Sequence, residues 1–397
     1  MGVMAPADAA SAAAQCPTCR ADVSPLDSFC ENCGATLTPS AVATAQDEQP
    51  LVAPPCVHCG ATVADDGYCT VCGSKALTRR DHWDEQPAPW IAGVCDKGIV
   101  HARNEDAMSL ASFGDDGAVI VVCDGVTSAP DSDQASMAAA RMACDSIMGA
   151  LTPRSTPAPA ASVPDASVVA PVPVQRVPGD DVAFARTLLQ LAAAQANRAA
   201  VAIARKLGDP VEAPSCTFVA AVVLPAEASP SGRTPVFPTV VVAWCGDSRA
   251  YWLPDSGPDV QLTTDHSLGT EMIRSGLSRA EAESDPTFHT ITRWLGADSV
   301  DPTTEVATCA VESDGWLLVC SDGLWNYAST PAAIRAALQL ASAVSAAAGA
   351  VFVAAGAVSV AAGADPLAIA NALVRFGNEQ GGHDNITAAL ARVTGRR

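Results

Sequence analysis

The sequence is short of aromatic side chains and short of positive charge. Aromatics make up 5% of its 397 residues, and 23 Lys and Arg face 43 Asp and Glu, a formal net charge of −20. Such a deficit of cations excludes a phosphate-neutralising nucleic-acid surface, which is built from Lys and Arg. The first fifteen residues, MGVMAPADAASAAAQ, lack both the basic and the apolar segment of a secretory signal. The expected location is therefore the cytoplasm, where thiols stay reduced. Apolar residues reach 49%, which excludes a disordered chain, although alanine inflates the figure.

What is plentiful is cysteine. There are fifteen, an odd number that argues against a secreted disulfide scaffold. Eight fall in four C-x2-C pairs: Cys16/Cys19, Cys30/Cys33, Cys56/Cys59 and Cys69/Cys72. A C-x2-C turn aims two thiolates at one point, and two facing turns complete a closed tetrahedral zinc site. The spacing predicts a double zinc ribbon over 16–75 (16–37 and 56–75) holding two Zn²⁺, after a flexible tail over 1–15. A linker is expected over 76–89. His58 is surplus to four thiolates. Residues 1–80 carry eight acidic side chains against four basic ones, so a protein-docking or regulatory role is expected rather than DNA binding. The other seven, Cys95, Cys123, Cys144, Cys216, Cys245, Cys309 and Cys320, read mostly as small buried hydrophobes.

From residue 90 onward, short Val/Ile/Leu-rich runs recur beside acidic residues. AVIVVCDG ends at Asp124-Gly125, TVVVAWCGDSRAYWL carries Asp247, and GWLLVCSDGLW reaches Asp322-Gly323. GGHDNITAALARV opens with Asp384-Asn385, and ARNEDAMSL holds Glu105 and Asp106. Runs of this length read as buried strands, and carboxylates at their ends would converge on one edge of a β core. Buried carboxylates are costly unless they pair, cap a turn or bind a cation. One Asp-Gly is only a turn signal. Several in one domain point to a hard-cation site, and oxygen ligands favour Mg²⁺ or Mn²⁺ over zinc. Amphipathic helices are expected at DQASMAAARMACDSIMGAL and DVAFARTLLQLAAAQANRAAVAIARKLG, on either side of a Pro/Ala/Val-rich insertion at about 151–180.

The ordered set NEDA, VVCDG, SCT, GDSRAY, LTTDHS, TITRWLG, LLVCSDGLW and GGHDNIT resembles the PPM-type (type 2C) metal-dependent Ser/Thr protein phosphatases over about residues 90–395. The resemblance implies an α+β fold, a four-layer α-β-β-α sandwich of two antiparallel sheets flanked by helices, here preceded by the two small zinc ribbons. It implies two Mn²⁺ or Mg²⁺ ions, with a third possible. Asp124 would bridge two metals and Gly125 ligate through its carbonyl. Asp322 and Asp384 would complete the second ion's coordination, and Glu105 or Asp106 would ligate or hold bound water. Asp247 would serve a third, weaker ion. A flap is implied within about 265–300. The implied reaction is hydrolysis of phosphoserine or phosphothreonine by a metal-activated water in a binuclear centre. The implied partners are phosphorylated proteins and Ser/Thr kinases or their substrates, met by a monomer.

Two departures stand out. His101 occupies the place where many members carry a phosphate-gripping Arg, and Arg103 follows two residues later. On a strand the two would share a face, so either would contact phosphate. DGVTSAP puts Val126, Thr127 and Ser128 where a glycine-rich turn is usual. Both leave open a phosphatase-like binding or regulatory module with weak turnover. His266 and His289, in the flap region, read as structural, and His383 as a neighbour of a metal ligand. Residues 336–364 are uncharged and long enough to span a membrane, but Asp322 and Asp384 must meet at one site. A single span between them is therefore excluded, and a partly helical low-complexity surface insertion is expected at about 339–364.

Overall fold

The computed structural model describes residues 14–15, 22–23, 61–64, 67–73, 76, 78–126, 129–152, 181–208, 212–226, 236–352 and 365–396. The chain divides into two compact units, Met1–Ala76 and Leu77–Arg397. In the first, β1 (Ala14–Gln15) pairs antiparallel with β2 (Asp22–Val23), and Val63 bridges Cys69. The chain turns tightly at the last cysteine pair. Gly73 N donates to Cys69 O at 3.0 Å, and the amides of Val71 and Cys72 reach Cys69 Sγ at 3.4 and 3.5 Å. Cys16, Cys19, Cys30, Cys33, Cys56, Cys59 and His58 lie outside the described residues.

The second unit is built on two antiparallel sheets. Its strands are β3 (His82–Ala88), β4 (Ile91–Asp96), β5 (Ala107–Phe113), β6 (Gly117–Cys123), β7 (Ser215–Cys216), β8 (Phe218–Leu224), β9 (Thr239–Cys245), β10 (Arg249–Pro254), β11 (Val260–Gln261), β12 (Leu295–Gly296), β13 (Glu305–Ala310), β14 (Gly315–Cys320) and β15 (Ile386–Val393). One sheet runs β11-β10-β14-β15-β4-β3 and the other β13-β9-β8-β6-β5, while β7 and β12 form a short pair of their own. The helices are α1 (Ser132–Leu151), α2 (Asp181–Lys206), α3 (Leu268–Arg274), α4 (Arg279–Glu283), α5 (Asp322–Trp325), α6 (Pro331–Phe352) and α7 (Pro366–Glu379).

Side chains alternate between the faces of a strand, and here both faces are covered. Val119, Val121 and Cys123 of β6 pack with Ala139, Ala143, Leu188 and Leu189 of α1 and α2. Ala118, Ile120 and Val122 face the other way and meet Leu317, Val319 and Ala389 of the opposite sheet. Trp316, Leu318 and Cys320 of β14 then pack with Leu338 of α6 and Leu373 of α7. Three apolar layers therefore separate helices, sheet, sheet and helices. Burial on both sides explains why runs such as AVIVVC show no polar alternation.

Two expectations need adjustment. The stretch 76–89, read as a linker, contains β3, which pairs with β4 at the edge of the six-stranded sheet. One face of β3 is solvent-exposed, so charged residues interrupt its apolar signal, while Trp83 packs against the inter-sheet core. His101 and Arg103 lie in a loop before β5 rather than on a strand, so no shared strand face relates them. The alanine-rich segment after residue 336 continues α6 to Phe352, and 353–364 fall outside the described residues, as do 153–180. Among the described residues no helix is long and apolar enough to cross a membrane.

Candidate metal centre

Strand register brings the acidic residues to one edge of the sandwich. Ala107 pairs with Cys123, which sets Asp106 beside Asp124. Cys320 pairs with both Ala388 and Arg249, which places Asp322, Asp384 and Asp247 just beyond the same ends of the second sheet. Asp106, Asp124, Asp247, Asp322 and Asp384 are close enough that Asp124 is repelled by the other four.

Each carboxylate is held by a different local device. The Asp124 amide donates to Thr217 Oγ1 at 3.0 Å, and its carbonyl accepts from Thr217 N at 2.7 Å. Thr217 Oγ1 in turn lies 2.7 Å from Ser248 Oγ, tying β6 to the Asp247 turn. Gly125 bridges Cys216 so close to Glu105 that a Cβ would sit 2.7 Å from the Glu105 carbonyl oxygen. Asp106 Oδ2 accepts from Ser321 Oγ and Thr387 Oγ1, both at 2.7 Å. Asp322 occupies the first turn of α5, with Asn326 Nδ2 donating to its Oδ2 at 3.2 Å. Trp325 Nε1 donates to Asp247 O at 2.9 Å. His101 Nε2 lies 3.3 Å from Asp384 Oδ1.

Glu105 stands slightly apart. Its Oε1 accepts from Arg103 Nε at 2.7 Å and Ser132 Oγ at 2.9 Å. Arg103 Nη1 also lies 3.9 Å from Asp133, and the guanidinium side chain remains 46% exposed. The structure thus brings together all the expected carboxylates, with Asp106 inside the mutually repelling group and Glu105 on its rim. Thr127 and Ser128 lie outside the described residues.

The electrostatics are those of a site lacking counter-charge. Loss of water and then repulsion by Asp106, Asp322, Asp384 and Asp247 push the Asp124 carboxyl well above the usual carboxylate range. Burial, followed by Asp384, Asp247 and Asp106, does the same to Asp322. Burial raises Asp106 to about 6 against the pull of its two hydroxyl donors. Burial and Asp265 raise Asp247 to about 7, with Arg249 opposing. Asp124 also lies within hydrogen-bonding reach of both Asp106 and Asp322. Ionised carboxylates only accept, so such neighbours need a proton or a cation between them.

Hard cations fit this arrangement. Glu105 Oε2, Asp106 Oδ1 and Asp322 Oδ1 are buried oxygens without a donor, and a dication is a partner that also removes the repulsion. No three His, Cys, Asp or Glu side chains among the described residues form a set able to hold an ion by themselves.

Several positioning residues escaped the sequence reading. Asn385 accepts from Glu105 N at 2.7 Å and donates to Lys97 O and Arg103 O at 2.8 and 3.0 Å, clamping the 97–105 loop beside Asp384. Its adjacency to Asp384 in GGHDNIT was the available signal. Ser321, Thr387 and Ser132 carried none. His266 is structural: its Nδ1 accepts from Gly246 N at 3.1 Å, which leaves Nε2–H for Glu305 at 3.2 Å. His289 stacks on Trp325. The backbone amide of His383 donates to Tyr327 Oη at 3.0 Å.

The described fold is thus two antiparallel sheets between helices, with carboxylates gathered at one edge. The sequence profile of protein phosphatase 2C matches residues 99–351, and the chain belongs to that family. Among similar proteins, the protein phosphatase PhpP of Streptococcus pneumoniae is 36% identical over 157 residues, covering 38% of this chain and 52% of its own. The serine/threonine phosphatase stp of Listeria innocua is 44% identical over 92 residues, covering 22% and 34%. The chain therefore spans about half the length, or less, of the curated relatives it matches. The crystal structure of the serine/threonine phosphatase Stp1 from Staphylococcus aureus superposes with a TM-score of 0.50 over 79% of this chain and 98% of that one. At 19% identity this match speaks to the fold alone.

Proposed function

We propose that this chain is a protein serine/threonine phosphatase that hydrolyses phosphoserine and phosphothreonine with Mn²⁺ or Mg²⁺ at the strand-end carboxylates. The carrying observation is the set of crowded carboxylates whose buried oxygens on Glu105, Asp106 and Asp322 lack donors. The names of the relatives support the substrate class. Asp124, Asp322, Asp384, Asp106 and the Gly125 carbonyl would hold two ions, and Asp247 a third. Bound there, the ions supply neutralisation of phosphoryl charge and a water of lowered pKa.

The chain's own residues do the positioning. Ser321 and Thr387 fix one Asp106 oxygen and leave the other available. Asn385 holds the loop carrying His101 and Arg103 against Asp384. Arg103 is anchored by Glu105 yet half-exposed, so it can meet an incoming phosphate at the rim. His101 sits at the cluster edge, 3.3 Å from Asp384 Oδ1, where its ring can contact an incoming phosphate. The expected partners are phosphorylated proteins, and kinases that act on the same substrates.

The four cysteine pairs are read as two Zn²⁺ ribbons that dock a protein partner. The turn at Cys69–Cys72, with two amides on one sulfur, supports this. Metal analysis of the EDTA-washed protein should return two zinc ions per chain. For the catalytic reading, EDTA-stripped protein should release no phosphate from a phosphothreonine peptide, and added Mn²⁺ should restore release. Protein that binds Mn²⁺ and leaves the peptide intact would overturn the reading.

A further inference from the structure

The excursion between β11 and β12 meets the carboxylate edge at several points, through Arg249–Asp265, Gly246–His266 and the ring of His289 on Trp325, and the last of these adjoins both Asp247 and Asp322. Trp325 is 2% exposed and ends the single turn of α5 that begins with Asp322. Its Nε1 donates to the carbonyl of Asp247. The Arg249 guanidinium carbon lies 3.5 Å from the centre of its ring. The His289 ring stacks on it at 5.7 Å with an interplanar angle of 28°.

Each neighbour leads into the excursion. Arg249 Nε and Nη2 bind Asp265 at 2.9 and 2.6 Å, and Nη1 donates to Tyr251 Oη at 3.1 Å and to Ser329 O at 3.0 Å. His266 N donates to Gly246 O at 3.0 Å, directly before Asp247. Ser267 bridges Ile291, and Gly269 N donates to Phe288 O at 3.1 Å, so the two limbs of the excursion close on each other and carry His289 between them. The Phe288 ring meets His289 edge-on at 5.0 Å.

We propose that Trp325 is the positioning residue through which the 265–292 excursion sets the two carboxylates Asp247 and Asp322. The inference rests on the reading that these carboxylates hold divalent cations. The indole touches three things at once: the α5 turn that presents Asp322, the backbone of Asp247, and the His289 limb. A shift of the excursion pulls on the stack, and the stack pulls on a hydrogen bond to the residue whose side chain faces the cluster. Loss of the indole N–H strands a buried carbonyl and frees the Asp247 turn. Loss of the His289 ring removes the excursion's contact with the indole and leaves every carboxylate contact in place, while Arg249–Asp265 and His266–Gly246 still hold the excursion.

Two variants separate the parts. Trp325→Phe keeps the aromatic stack and deletes the N–H, while His289→Ala deletes only the excursion's contact. Both are made in the full chain and titrated with Mn²⁺ by calorimetry, with thermal melts in EDTA alongside. The Phe variant should bind Mn²⁺ at least about fivefold more weakly, as expected for an unsatisfied buried acceptor. The His289→Ala variant should lose about threefold, the order of one aromatic contact, although it touches no carboxylate. Wild-type affinity in both variants would overturn the inference, because a purely structural tryptophan lowers the melting temperature without altering Mn²⁺ binding. If the Phe variant fails to fold, His289→Ala alone decides. Wild-type protein that binds Mn²⁺ but releases no phosphate refutes the phosphatase reading only, and the calorimetric comparison still tests Trp325. Wild-type protein that takes up no Mn²⁺ overturns both.

Discussion

At Asp124 the needs of folding and of chemistry oppose each other. The carboxylate has lost water and gained four acidic neighbours, a cost that only a proton or a cation relieves. Replacement by Asn removes the charge and keeps the shape. Asp124→Asn should therefore lower metal-dependent turnover by at least about 10³-fold, the scale of losing a transition-state electrostatic contact or more. The same change should raise the melting temperature of the metal-free protein. Steady-state kinetics and melts in EDTA check the two halves. A pH dependence follows from the same crowding. Asp106 and Asp247 have folded pKa values near 6 and 7, and Asp124 and Asp322 are shifted the same way. All lie above the unfolded value of about 3.9. The folded state then binds more protons than the unfolded one, so stability falls as pH rises from about 4 to beyond 7. Urea titrations in EDTA should show that fall, and saturating Mn²⁺ should abolish it. The gathering of Asp124, Asp322 and Asp384 was legible because several acidic residues next to Gly or Asn flank apolar runs in one domain, where a single one would only signal a turn. Ser321, Thr387 and Asn385 were not, because a hydroxyl or amide acquires its role from a partner far along the chain.

Elements set how closely these residues approach. Gly323, on α5, faces the backbone of Asn385 so tightly that an added Cβ would collide with its carbonyl oxygen. Gly323→Ala should cost about 1–3 kcal/mol, as overpacking does. It should also weaken Mn²⁺ binding by separating Asp322 from Asp384, which a melt and a calorimetric titration measure together. The central strands and the helices α1 and α2 were readable from unbroken apolar runs and helical periodicity. β3 was not, since an edge strand with one wet face mixes charged and aromatic residues as a linker does. The loop placement of His101 and Arg103 was hidden for a related reason: Asn385 holds that segment by bonds to its backbone carbonyls, which no side-chain pattern records.

On the scale of the whole molecule, the division at Ala76/Leu77 and the three apolar layers of the second unit predict that residues 77–397 fold without the cysteine-rich segment. Deleting residues 1–76 should leave Mn²⁺-dependent hydrolysis of a small phosphomonoester within about twofold, while turnover of a docked phosphoprotein falls. A paired assay of the two substrates reads this out. Part of the −20 charge lies in the crowded strand-end carboxylates that the proposed function assigns to divalent cations, and eight of the fifteen cysteines belong to the segment that this deletion removes. The most direct test of the central claim follows phosphate release from a phosphothreonine peptide while EDTA-stripped full-length protein is titrated with Mn²⁺, in parallel with Asp124→Asn. The account predicts release that rises and saturates with Mn²⁺ occupancy in the wild type and stays at background in the variant. Saturable Mn²⁺ binding without release, or equal release by the variant, would contradict it.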